Sequence, residues 1–166
     1  TISKKFIRKI NRKIIVKSFI KKINKENIHS IAKNYDYICD GTDNFKSRLL
    51  INDYCIKYKK ILISSAISKY DGHIFSFDFK KDGPCLRCFM PNIPSLEQNC
   101  ETDGIMSTLA GIAGSIQANE VIKSILDIGK PLRNEIMIFN SLDLSFRKVK
   151  LNKNSNCKNH LHVLRK

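Results

Sequence analysis

The stretch Tyr35-Asp36-Tyr37-Ile38-Cys39-Asp40-Gly41-Thr42-Asp43-Asn44-Phe45-Lys46-Ser47-Arg48 decides the fold. Its first half, YDYIC over 35–39, is a short apolar run of the kind that forms a buried strand. Gly41 breaks the run, and Asp43 stands where a helix N-cap belongs, ahead of a helix reaching about Tyr58. Working outward, Ser3 to Arg12 reads as the end of a basic helix, Lys13 to Ile20 (KIIVKSFI) as a strand and Asn24 to Asn34 as a helix. On the other side, Lys60 to Ala66 (KILISSA) is a further apolar strand. Helix and strand therefore alternate from residue 3 to 66, which points to a parallel sheet with helices on its faces.

Beyond residue 66 the pattern changes. His73 to Phe79 (HIFSFDF) puts Phe75, Phe77 and Phe79 on one face, the period of a half-exposed strand. A loop rich in Pro and Cys runs from Lys80 to Asp103. A long helix is expected over about Met106 to Leu126, where Leu109, Ile112, Ala113, Ile116, Val121, Ile122 and Ile125 recur at helical spacing. Gly111 and Gly114 read as packing positions in it, against the core or against another helix. Glu135 to Phe139 and Leu144 to Leu151 form a closing strand pair, and a polar tail carries Cys157, His160 and His162. The expected class is α/β: a Rossmann-like doubly wound sheet continuing into antiparallel strands. None of the 7 glycines falls in a G-x-G-x-x-G turn, with which such a fold normally opens. The expectation is one domain, 1–166, incomplete at its N-terminus because the first βαβ unit lies upstream of Thr1.

The 166 residues are enough to bury a core, and 42 % hydrophobic content is ordinary for a globular chain. No apolar run approaches the roughly 20 residues that span a bilayer. No leader-like apolar segment follows the basic start, so a cytoplasmic location (or the plastid stroma) is expected and a membrane partner is not. The net charge of +15 is spread from Lys4 to Lys166 among many Ile and Asn residues, with little aromatic interleaving. It reads as a solvated basic surface rather than a nucleic-acid groove.

Three constellations carry chemistry. The first is the run from Asp40 to Arg48. The carboxyl ends of strands line the ligand crevice of such sheets, and a carboxylate there can hold Mg²⁺ beside a triphosphate. Arg48, one turn into the helix, could point at phosphate; alternatively, Asp43 is only a helix cap. The second is Cys85-x-x-Cys88 with Cys157-x-x-His160 far downstream, two pairs that could supply the four positions of a closed zinc site and clip the tail to the loop. His162 competes with His160 as the fourth ligand. The third is Cys100, ahead of the long helix, either a nucleophile of lowered pKa or a plain loop thiol. Cys39 and Cys55 lie in apolar settings and read as core.

These signals occur in one order that resembles the ubiquitin-activating-enzyme-like superfamily, in particular its small ThiF/MoeB-type members that activate sulfur carriers for thiamine or molybdopterin synthesis. The resemblance rests on Asp40-Gly41-Thr42-Asp43-Asn44-Phe45 with Arg48 and Asn52, Asp71-Gly72-His73, Pro84-Cys85-Leu86-Arg87-Cys88-Phe89, Asn99-Cys100-Glu101-Thr102-Asp103-Gly104 and Gly111 to Lys123. It implies adenylylation by Mg·ATP of the C-terminal glycine of a ubiquitin-like sulfur carrier with a Gly-Gly tail. A sulfur donor of cysteine desulfurase or rhodanese type then acts on the adenylate, and a homodimer is implied. By the resemblance Asp43, Asn44 and Arg48 hold the cofactor, with Asp43 on Mg²⁺, while Cys100 matches the cysteine that in some members bonds to the carrier. Cys85, Cys88 and Cys157 match zinc ligands, and His160 stands where the family usually has a fourth cysteine. The Asn99-Cys100-x-Thr102-x-Gly104 run leans towards the thiamine member. With the family's ATP loop upstream of Thr1, the chain alone is expected to bind ATP poorly and to be inactive. The alternative reading is a non-catalytic, zinc-containing carrier-binding or dimerisation module.

Overall fold

In a computed structural model, residues 2–91 and 104–161 are described. Five strands form one sheet in chain order: β1 (Tyr37–Asp40), β2 (Ile61–Ser68), β3 (Asp71–Asp78), β4 (Glu135–Asn140) and β5 (Ser145–Lys150). Only β1 and β2 are parallel, with Tyr37 beside Ile61 and Asp40 beside Ser64. The other pairings are antiparallel, so the sheet is mixed, as the change in sequence pattern after residue 66 implies. Strand β3 returns from β2 through a tight turn in which Lys69 takes φ 43°.

Helix α1 (Ile2–Ile10) has no buried residue, and the short α2 (Ile28–Ala32) buries Ile28 and Ala32. Helix α3 (Phe45–Lys57) packs on one sheet face: Leu49, Ile51, Tyr54 and Cys55 meet Leu62, Phe75, Phe77 and Ile136. The short α4 (Leu86–Phe89) follows β3, and the long α5 (Thr108–Leu126) lies on the other face, with Leu109 and Ala113 against Ile63, Ile74 and Phe139. Helix α6 (Lys158–Leu161) ends the described chain. Successive side chains of a strand point to opposite faces, so Leu62 and Ile63 enter different cores.

Several expectations need correction. Residues 13–20 form no strand: no described residue pairs with them, and Ile14, Ile15, Phe19 and Ile20 are exposed. A strand needs a ladder partner, which apolar composition alone does not provide. The helix expected over 24–34 shrinks to the five residues of α2. Strand β3 is not half-exposed, because α3 and α5 sandwich the sheet: Ile74 on one face and Phe75 and Phe77 on the other are all buried. Gly72 is required there, since an added Cβ would lie 2.0 Å from the Phe139 ring. Gly111 and Gly114 serve no core packing, for both are exposed and a Cβ on either would meet nothing. Cys55 is buried as expected, whereas Cys39 is exposed.

Candidate functional site

The parallel pairing of β1 with β2 ends at Asp40 and Ser64, and a polar knot forms there. Asp40 is 1 % exposed, and its carboxylate is fully occupied by the protein. Oδ1 accepts from the Thr42 amide at 2.9 Å and the Thr42 hydroxyl at 2.7 Å. Oδ2 accepts from the Ser64 hydroxyl at 2.7 Å. Arg48 closes the knot. Its Nη1 lies 3.5 Å from Asp40 Oδ2 and donates to Ser64 Oγ at 2.9 Å and to the Ser65 carbonyl at 2.7 Å, while Nη2 donates to the Thr42 carbonyl. Gln117 of α5 reaches across, donating to the Asp40 carbonyl at 2.9 Å and the Ile63 carbonyl at 2.6 Å. An ion pair this buried survives only with such additional hydrogen bonds, because desolvation otherwise exceeds the Coulombic gain.

The knot determines the backbone that presents the next two residues. Asn44, not Asp43, caps α3: its Oδ1 accepts from the Ser47 amide at 2.8 Å. The same side chain donates Nδ2–H to Asp43 Oδ1 at 3.1 Å. That bond, helped by Asp43's own backbone amide, holds the Asp43 carboxyl below the usual carboxylate range. Asp43 is thus an exposed, ionised carboxylate at the carboxyl end of β1, beside a helix N-terminus. Its hard oxygens suit Mg²⁺. Arg48, expected to point at phosphate, is turned inward and 7 % exposed.

The second cluster joins the loop after β3 to the tail. Cys85 Sγ lies 3.9 Å from Cys88 Sγ and 3.7 Å from Cys157 Sγ. Tetrahedral thiolates about 2.3 Å from zinc would be separated by about 3.8 Å. The three sulfurs therefore fit a shared metal ion. They are too far apart to be bonded to one another, a disulfide being about 2.05 Å long. Cys85 and Cys157 are buried; burial first, and the neighbouring Cys88 next, push the Cys85 thiol up to about 12 in the absence of a cation. A bound cation reverses that balance by stabilising the thiolate. His160 falls on α6, three residues after Cys157; its side chain and the whole of His162 lie outside the described residues. Cys100 also lies outside them, in 92–103.

The cluster stands on α3. Asn52, fully buried, accepts from the Leu86 amide at 3.0 Å. Asp53 takes the Arg87 guanidinium in a fork, at 2.9 Å to Nε and 2.7 Å to Nη2, and accepts from Asn159 Nδ2 at 2.8 Å. Burial alone would raise the Asp53 carboxyl, but these bonds from Arg87, Asn159 and Asn52 outweigh it and hold it below its ordinary value. Sequence reasoning missed the roles of Asp53, Arg87, Asn159, Ser64 and Gln117. One signal was available: Gln117 and Glu120 continue the buried stripe of Leu109 and Ala113 at helical spacing, and a polar residue there needs a partner. Glu120 duly accepts from the Leu132 amide at 2.7 Å and pairs with Lys123.

The chain has recognisable relatives among known proteins. The sulfur carrier protein adenylyltransferase of Thermus thermophilus is 32% identical over 162 residues, covering 94% of this chain and 60% of that protein. A probable molybdopterin-synthase adenylyltransferase of Porphyra purpurea is 38% identical over 153 residues, covering 90% of this chain and 40% of that protein. The chain thus spans between two fifths and three fifths of these relatives' lengths. Among solved structures, E. coli MccB superposes with a TM-score of 0.77 over 95% of this chain and 48% of that one, at 16% identity, a likeness of fold. No described helix is long and apolar enough to cross a membrane. The ThiF family profile matches residues 1–159, and the chain belongs to the ThiF family.

Proposed function

We propose that the protein adenylylates the C-terminal glycine of a ubiquitin-like sulfur-carrier protein at the expense of ATP. The carrier's terminal carboxylate attacks the α-phosphorus, pyrophosphate leaves with the electron pair of the broken P–O bond, and the carrier is left as its acyl-adenylate. A sulfur nucleophile supplied by a donor of cysteine desulfurase or rhodanese type then attacks the carrier's acyl carbon, and AMP leaves with the electron pair of the broken C–O bond. The observation that carries this reading is the exposed, ionised Asp43 held by Asn44 at the end of β1, in a chain of this family. Asp43 and Asn44 hold Mg·ATP, neutralising and orienting the phosphates, which is most of what the reaction asks of a protein. Arg48 acts through the backbone, holding the 40–42 turn that sets Asp43.

Zinc is the metal that suits three thiolates at this spacing, with His160 as the fourth ligand in a closed structural site. Cys100 is proposed as the residue that bonds to the carrier, and a homodimer as the assembled form. The Asn99 to Gly104 run favours a thiamine-type carrier, whereas the name of the Porphyra purpurea relative concerns molybdopterin. ATP–pyrophosphate exchange with the intact protein and each carrier in turn tests both levels. Exchange dependent on one carrier assigns the pathway, and Asp43→Ala is expected to slow it at least about 100-fold with unchanged unfolding. Carrier binding without any exchange would instead support the non-catalytic module.

A further inference from the structure

The three thiols that could ligate a metal come from two segments that nothing in the local sequence holds together: Cys85 and Cys88 in the loop after β3, Cys157 in the tail. Both segments meet on α3. The Arg87 fork reaches Asp53 from between the two loop cysteines. Asn159 reaches the same carboxylate from between Cys157 and His160. Asp53 is the carboxylate that binds both segments among the described residues. Its oxygen Oδ1 is shared by Arg87 Nε, Asn159 Nδ2 and Asn52 Nδ2. Asn159 also brings Nδ2 to 4.0 Å from Cys85 Sγ, where an N–H can donate to a thiolate. Meanwhile Asn52, the preceding residue, holds the Leu86 amide inside the Cys85–Cys88 turn.

We propose that Asp53 is the positioning residue of the metal centre: through Arg87 and Asn159 it brings the loop thiols and the tail thiol to one point and keeps them there for the ion. The inference rests on the metal reading of the three cysteines, not on adenylylation. Ligands that the fold already holds together bind an ion more tightly because less assembly entropy is lost on binding, and residues that orient ligands typically change affinity about 10- to 100-fold when lost. Asp53→Asn retains the size of the side chain but loses the charge that takes the Arg87 fork.

The test is zinc affinity of the intact protein by competition with a chromogenic chelator, for wild type, Asp53→Asn and Asn159→Ala. Each loaded protein is also read by the cobalt absorption spectrum, and each metal-free protein by urea unfolding. The expected result is one zinc per wild-type chain. Both variants should lose about 10- to 100-fold in affinity, with weakened or shifted tetrahedral cobalt bands and nearly unchanged unfolding midpoints without metal. No zinc in the wild type would sink the metal reading and this inference with it. Normal zinc affinity in both variants would overturn the role of Asp53 while leaving the metal site standing. Equal loss of stability in the metal-free and zinc-loaded variants would show that Asp53 serves folding in general, and would overturn it too.

Discussion

At the scale of single residues, the Arg48–Asp40 pair shows how a charge in a binding motif can be turned to structural use. Both side chains are nearly inaccessible, and both Arg48 Nη atoms and both Asp40 carboxylate oxygens have specific partners. Removing one member would leave a buried, uncompensated charge. Arg48→Met is therefore expected to cost about 3–5 kcal/mol in urea unfolding. Adding Asp40→Asn to it should recover part of that loss, because the remaining partner is then neutral. If Arg48 instead served only phosphate, Arg48→Met would leave stability unchanged and affect ATP binding alone. The residue types and order were legible from the chain. The direction of Arg48 was not, because it depends on Ser64 and Ser65, which come from the neighbouring strand.

At the scale of the element, α3 carries chemistry at both ends. Its N-terminus presents Asp43 and Asn44, and its C-terminal half presents Asn52 and Asp53 to the cysteine loop and the tail. Asn44→Ala removes the cap on the Ser47 amide and is expected to cost about 1 kcal/mol in thermal or urea unfolding. It also removes the hydrogen bond to Asp43, so the Asp43 carboxyl should titrate at higher pH in Asn44→Ala, measurable by carboxyl NMR. A helix start was readable in the sequence to within one residue. Choosing Asn44 over Asp43 as its cap needed backbone geometry, since either side chain is chemically able.

At the scale of the whole molecule, the two sheet faces and the three-cysteine cluster are one construction. Helices α3 and α5 cover opposite faces, and the loop–tail cluster closes over the α3 side, where Leu86 and Leu151 join the same core. An ion bound by the three thiols stabilises the folded chain, so a chelator that removes it should lower stability. With free zinc about 1,000-fold above its Kd the linkage is about 4 kcal/mol. At about 2–4 °C per kcal/mol for a chain of this size, that lowers Tm by about 8–16 °C. Thermal unfolding with and without chelator reads it, and an unchanged Tm would mean that the thiols hold no ion.

What the chain by itself determined is local: the apolar runs that make β1 to β4, the helical stripe of α5, the turn at Asp40–Asp43, and the cysteine spacing that predicts a metal site. These follow from periodicity and side-chain chemistry within a few residues. Only the tertiary structure decided which of those runs found a partner. Residues 13–20 have strand-like composition but no described ladder, and HIFSFDF, half-polar in pattern, is buried on both faces. It also decided the roles of Asp53, Arg87 and Asn159, which are ordinary polar residues in the sequence. A hydrogen bond between positions 106 residues apart, such as Asn159 to Asp53, leaves no periodic trace in the sequence, because it exists only once two separate segments have packed on the same helix.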